Sequence, residues 1–213
     1  MNHSSKKFSR LIFMRINIIL LCCSPILFLG CNSVVAKKDH KPLVNVLIAN
    51  GSFERSGGWQ ISAPPDYNRY SRIEIDRDES YVGKRSALVS ISRDTGQGSE
   101  MIIHAWSQKL PVLPAGKTVL FGGWVNAEEG TRASIILEYE VITPRNGQTL
   151  FTKELEVIGT NGKFRYIGGT LDVPEDVAQM VILAGIKSVG TAYFDNIFVF
   201  IEPAKEQPVI TNK

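Results

Sequence analysis

Ala133-Ser134-Ile135-Ile136-Leu137-Glu138-Tyr139-Glu140-Val141 is followed, after Asn146-Gly147, by Leu150-Phe151-Thr152-Lys153-Glu154-Leu155-Glu156-Val157. In the first run Ala133, Ile135, Leu137, Tyr139 and Val141 share one face, the period of two expected of a strand with one buried side. Asparagine and glycine both accept the positive φ of a two-residue hairpin turn, so Asn146-Gly147 predicts an antiparallel pair.

The same reading extends in both directions. Segments 44–48, 72–75, 86–91, 101–110, 118–125, 133–142, 150–157, 164–173, 180–186 and 191–201 all read as strands. Turn signals separate them, at Asp94-Thr95-Gly96, Pro114-Ala115-Gly116, Asn161-Gly162 and Val189-Gly190. Only 174–179 suggests a helical turn. Strands at this spacing without βαβ alternation predict an all-β antiparallel sandwich or barrel.

The N-terminus differs in kind. Lys6, Lys7, Arg10 and Arg15 precede an apolar run over 16–29 and then Gly30-Cys31. A basic head, an apolar stretch and a small residue describe a secretory signal over 1–30. The run is short for a membrane span and holds Pro25; an uncleaved anchor is the alternative. Phe28-Leu29-Gly30-Cys31 resembles the bacterial lipobox, which implies that Cys31 is lipidated. The only cysteines are Cys22, Cys23 and Cys31, so the exported domain has no thiol for a disulfide or a metal.

The signal also holds four basic and no acidic residues, leaving 20 Lys and Arg against 21 Asp and Glu. Neither this balance nor any basic patch interleaved with aromatics asks for nucleic acid. The expected organisation is signal 1–30, tether 31–43, a β-sandwich domain 44–202 and a flexible tail 203–213.

Two acidic residues bracket that domain. Glu54 follows Asn50-Gly51-Ser52-Phe53 and precedes Gly57-Gly58-Trp59; Asp195 lies in Gly190-Thr191-Ala192-Tyr193-Phe194-Asp195-Asn196-Ile197. First and last strands of a sandwich often lie side by side, so the two carboxylates are expected to approach. Together at neutral pH they repel unless a cation or proton sits between them.

These segments, with Ser80-Tyr81-Val82-Gly83-Lys84-Arg85-Ser86-Ala87-Leu88, Pro114-Ala115-Gly116-Lys117 and Phe121-Gly122-Gly123-Trp124-Val125, resemble the carbohydrate-binding modules of families 4, 9 and 22. The resemblance spans about residues 46–201. It implies a galactose-binding-domain-like jelly roll and a structural Ca²⁺ held by Glu54, Asp195 and the main-chain oxygen of Lys84. The alternative for the acids is a Glu–Lys or Glu–Arg pair and a strand cap. It also implies sugars stacked on aromatic rings on the concave outer face of one sheet.

Strand parity places Trp124 and Asn126 opposite the apolar face of their strand, and Glu138 and Glu140 opposite the apolar face of theirs. If both apolar faces look inward, Trp124, Asn126, Glu138 and Glu140 form one outer surface, a platform with acceptors for hydroxyls. The alternative is Trp124 filling a minor core under a loop. Trp106 is a second candidate platform on a strand of ambiguous alternation, and Trp59 reads as structural.

Catalysis lacks parts. Jelly-roll glycosidases that look similar use three acids on one strand, whereas Glu138-Tyr139-Glu140 offers two. His104 is the only histidine within the domain, and no Gly-x-Ser-x-Gly elbow exists. Ala115-Gly116-Lys117-Thr118 ends like a phosphate loop, but Pro111 stands at the leading glycine. The reading is a monomeric, non-catalytic lipoprotein of the bacterial envelope, anchored to the outer rather than the inner membrane, that binds a polysaccharide or glycan. A structural or assembly lipoprotein that holds a protein partner is the alternative, and a small glycoside hydrolase a third.

Overall fold

The computed structural model of the protein describes residues 47–92, 102–111 and 113–202. Ten strands follow in order: β1 (Gln60–Ser62), β2 (Ser71–Asp76), β3 (Ser86–Ile91), β4 (His104–Lys109), β5 (Thr118–Ala127), β6 (Arg132–Arg145), β7 (Gln148–Ile158), β8 (Arg165–Asp172), β9 (Val177–Ile186) and β10 (Gly190–Ile201). All pairings are antiparallel. Sheet one runs β1-β4-β9-β6-β7 and sheet two runs β2-β3-β10-β5-β8, so that of the two all-β architectures the alternation allowed, sandwich or barrel, the chain adopts the sandwich.

The hairpin behaves as its turn residues require. Arg145 pairs with Gln148 across Asn146 (φ 52°) and Gly147 (φ 78°). Positive φ at both central residues matches the right-handed twist of the strands. Ile135 and Leu137 of β6, Ile182 and Ile186 of β9, Phe121 and Val125 of β5 and Phe194 of β10 meet between the sheets, fully buried. Each such side chain contributes about 1.5–3 kcal/mol by leaving water.

Two local expectations fail. Of segment 44–48, residues 44–46 lie outside the described residues, and Leu47 is not in a strand. Leu47 still donates its N–H to Val199 O, and Ile197 donates to Gly51 O, both at 2.9 Å, so this segment runs beside β10. No helical turn spans 174–179: 175–176 form a simple turn, and 177–179 open β9, where Val177 and Gln179 pair with Val141 and Glu140. Among the described residues a single 3-10 turn occurs, at Tyr67–Arg69, where Tyr67 N–H reaches Pro64 O.

One irregularity decides what faces solvent. Between the pairs Asp195↔Trp124 and Phe198↔Gly122, β10 has two residues opposite the single Gly123 of β5. Such a bulge inserts one residue and reverses the alternation beyond it. Asn196 at φ 47° makes the turn, and a methyl on Gly123 would overlap the Ile197 side chain. Phe194 therefore points inward before the bulge, while Ile197 and Val199 point inward after it. Phe198 and Phe200 are left on the outer face.

Candidate functional site

The first of the two acidic segments folds as a plug. Phe53, with φ 56° and fully buried, stacks on Trp59 at 4.9 Å between ring centroids. Trp59 Nε1 donates to Asn50 O at 3.0 Å. From β4, Gln108 pins the same loop: its amide donates to Ala49 O and Gly58 O and accepts from Ala49 N–H. Trp59 is thus a structural residue.

The plug presents Glu54 to the 80–85 loop. Lys84 and Arg85 donate backbone N–H to Glu54 Oε1 at 2.6 and 2.9 Å. Gly83 (φ 83°) makes room for this, since a Cβ there would overlap the carboxylate. Asp195, fully buried, takes the other side of the loop. Tyr81 and Val82 donate N–H to its Oδ2, both at 2.8 Å, and Asn196 donates to Oδ1 at 2.6 Å. Burial pushes the Asp195 carboxyl above its ordinary value and the nearby Glu54 charge adds to this, while the three N–H donors pull it down.

Glu54 and Asp195 are therefore brought together, as two clamps on one loop. Five backbone N–H groups already meet three of their four oxygens, and Glu54 Oε2 remains. Among the described residues no group of three or more His, Cys, Asp or Glu has metal-binding spacing. The donor set suits a hard cation in type, through Glu54 Oε2, Asp195 Oδ1 and main-chain carbonyls such as that of Lys84.

The clamp positions an aromatic ring. Asp195 lies directly across β10–β5 from Trp124, so the loop it holds drops Tyr81 onto Trp124, stacked at 3.7 Å and 15°. Phe164 lies 6.0 Å from Tyr81. On the other side Tyr166 meets the edge of Trp124 at 5.8 Å and stacks parallel to Phe198 at 6.1 Å and 6°. Phe198 stacks on Phe200 at 5.0 Å. Six rings thus run across the outer face of sheet two, with Tyr81 42% and Tyr166 51% exposed. Gly122 and Gly168, paired beneath, carry no side chain, and a methyl on Gly168 would overlap the Tyr166 ring. Tyr166 therefore lies flat.

The run ends in a cleft of about 450 Å³, walled by Phe198 and Phe200 and by Asn50, Ser52, Glu54 and Arg55 of the plug. Neither phenylalanine was identified in sequence, because strict alternation through the bulge puts both with the core. Tyr81 and Tyr166 were missed as well; the signal available for Tyr166 was its place across from Trp124, which only the register supplies.

The other expected sugar contacts fall elsewhere. Trp106 points inward, packs on the core and on Phe53 at 6.4 Å, and donates Nε1–H to Leu88 O at 3.3 Å. Asn126 shares the outer parity of Trp124, but it is 7% exposed and its Oδ1 accepts from Thr160 Oγ1 at 2.8 Å. Glu138 and Glu140 point outward from β6, in the other sheet, so Trp124 and Glu138 lie on opposite sides of the sandwich. The single outer surface of Trp124, Asn126, Glu138 and Glu140 does not form. Lys84 contributes its N–H to Glu54, and Cys31 lies outside the described residues.

No protein-family model and no curated protein matches the chain. Solved structures do. A family 16 carbohydrate-binding module is similar over 72% of this chain and 98% of its own, at 22% identity and a TM-score of 0.52. The family 22 xylan-binding domain of Paenibacillus barcinonensis Xyn10C covers 76% of this chain and 97% of its own, at 16% identity and 0.55. The enzymatically active domain of bacteriophage CBA120 tailspike protein 4 matches over 74% of this chain and 21% of its own, at 14% identity and 0.53. At these identities the likeness establishes the architecture, and the chain has the antiparallel β-sandwich fold of carbohydrate-binding modules.

Proposed function

We propose that this chain is a non-catalytic carbohydrate-binding protein whose contact surface is the outer face of sheet two. The observation that carries the reading is the run of six rings from Phe164 through Tyr81, Trp124, Tyr166 and Phe198 to Phe200. A pyranose ring has an apolar face that stacks on an aromatic plane, and polar groups at the margin orient it. Glu54, Asn50 and Ser52 supply such groups at the cleft. The likeness to modules described as xylan-binding supports the ligand class. The proposal includes a structural Ca²⁺ held by Glu54, Asp195 and the main-chain oxygen of Lys84, which would neutralise the two carboxylates. It includes lipidation at Cys31 and attachment to the outer membrane of a bacterial envelope, supported by the basic and apolar segment before it.

The test is binding of the full chain to immobilised glycans, wild type against Tyr166→Ala and Phe198→Ala. Loss of binding in both variants, with unchanged melting, is the expected result. A wild type that retains no glycan but captures a protein partner would instead support the structural or assembly alternative.

A further inference from the structure

Charge is not spread evenly over the aromatic face. At one end of the face, beyond Tyr193 on β10, Glu128 donates its N–H to Thr191 O and Glu129 follows it, so this end carries acids. From Tyr81 to the cleft, cations accompany the rings. Arg55 lines the cleft beside Phe198 and Phe200. Lys84 is anchored by its backbone to Glu54, three residues after Tyr81. Lys163 is in the turn immediately before Phe164, which meets Tyr81. Arg55, Lys84 and Lys163 are exposed, and none is in an ion pair among the described residues. Of the two acids that hold the 80–85 loop, Asp195 is buried, and Glu54, which also lines the cleft, has Oε1 taken by two N–H groups.

Resting on the carbohydrate reading above, we infer that this face selects an acidic polysaccharide, one whose sugars carry carboxylates, with the rings holding the pyranose planes and Arg55, Lys84 and Lys163 pairing with the acid groups. Charge-assisted hydrogen bonds from these cations are stronger than neutral ones, and Arg55 can grip a carboxylate with two parallel N–H groups. The acidic Tyr193 end repels the chain, which fixes the path toward the cleft. An anionic membrane offers the same charge, but its usual aromatic contacts are side chains that reach into the interface. Here the rings lie against one another and against Gly168, which makes a platform.

The experiment titrates the full chain with polygalacturonate, with the same polymer after its carboxyls are reduced to alcohols, with neutral xylan, and with vesicles of anionic phospholipid. Polygalacturonate is expected to bind, weakening with added salt, and the reduced polymer and xylan to bind ~10-fold or more weakly. Lys84→Ala with Lys163→Ala should reduce that preference while leaving the weak neutral binding, and Tyr166→Ala should reduce both. Equal affinity for the acidic and reduced polymers, lost in Tyr166→Ala, overturns the charge selection and leaves the carbohydrate reading intact. No binding to any polysaccharide overturns both, and vesicle binding alone replaces them with a membrane-contact role.

Discussion

Replacing Asp195 by alanine tests whether the loop that supplies Tyr81 is held by one buried carboxylate. The substitution removes the acceptor of three backbone N–H groups, from Tyr81, Val82 and Asn196. Hydrogen bonds to a charged group contribute about 1.5–3 kcal/mol each, and a buried donor left alone costs about 1–3 kcal/mol. Two considerations lower the sum. Tyr81 and Val82 are 42% and 49% exposed, so water reaches their amides once the loop lifts. Removing Asp195 also ends its burial cost and its repulsion with Glu54, the two effects that raise its pKa. A net loss of about 2–4 kcal/mol follows, which for a domain of this size lowers Tm by roughly 4–16 °C.

Asp195→Asn separates charge from shape. A carbonyl oxygen at the Oδ2 position keeps the Tyr81 and Val82 bonds, while its amide opposes Asn196 N–H. The loss should be less than half that of alanine. Urea unfolding followed by tryptophan fluorescence gives the global value, and hydrogen exchange at the Tyr81 and Val82 amides gives the local one. Exchange there should quicken at least ~10-fold in the alanine variant. An alanine variant within about 0.5 kcal/mol of wild type, the range of an ordinary surface change, would refute the clamp.

Two further outcomes are expected. Chelation should lower Tm if Ca²⁺ bridges Glu54 and Asp195, since an ion at 100 times its Kd stabilises by about 2.7 kcal/mol; a Tm indifferent to both chelator and added Ca²⁺ rules the ion out. His104 is 3% exposed, bonds through Nδ1 to Ser71 Oγ at 2.8 Å, and is held below its usual pKa by burial. Its contribution is present above the unfolded value near 6.5 and is lost as pH falls through the lower folded value. Asp195, raised in the metal-free protein, works in the opposite sense: its contribution is present below the ordinary carboxylate value and lost as pH rises through the folded one. Melting in chelator from pH 7 to 4 should therefore become flatter at its upper end in His104→Gln, and an unchanged profile would show that burial of the ring has no titration cost.

The fold was legible because its signals are local. Alternation in 133–157 and Asn146-Gly147 needed no knowledge of distant residues, and β6 and β7 pair where that pattern put them. The acidic bookends were legible for a related reason, since neighbouring first and last segments follow from sandwich architecture, and Leu47 does run beside Val199. The outer surface was not. Period-two parity assigns a residue to one of two faces of its own strand, but it does not say which sheet the strand joins. Trp124 and Glu138 both point outward, and they do so from β5 and β6 in opposite sheets. Trp106 illustrates a second limit. His104, Trp106 and Gln108 all face inward despite their polar atoms, because Ser71, Leu88 O and the Ala49–Gly58 loop satisfy those atoms across the interior.

The bulge at 195–198 is where fold and function become one problem. Without the extra residue, Asp195 would still face Trp124, but Phe198 and Phe200 would turn into the core and the ring run would stop at Tyr166. With it, one short segment does three things: Phe194 and Ile197 pack inward, Asp195 holds the Tyr81 loop, and Phe198 extends the platform toward the cleft. Gly123 is the residue opposite that permits this, since any side chain there would collide with Ile197. Stability and ligand contact are therefore coupled through the same few positions. Substitutions at Gly123 or Asp195 should weaken both together, whereas Tyr166→Ala, on the solvent side of β8, should weaken binding alone.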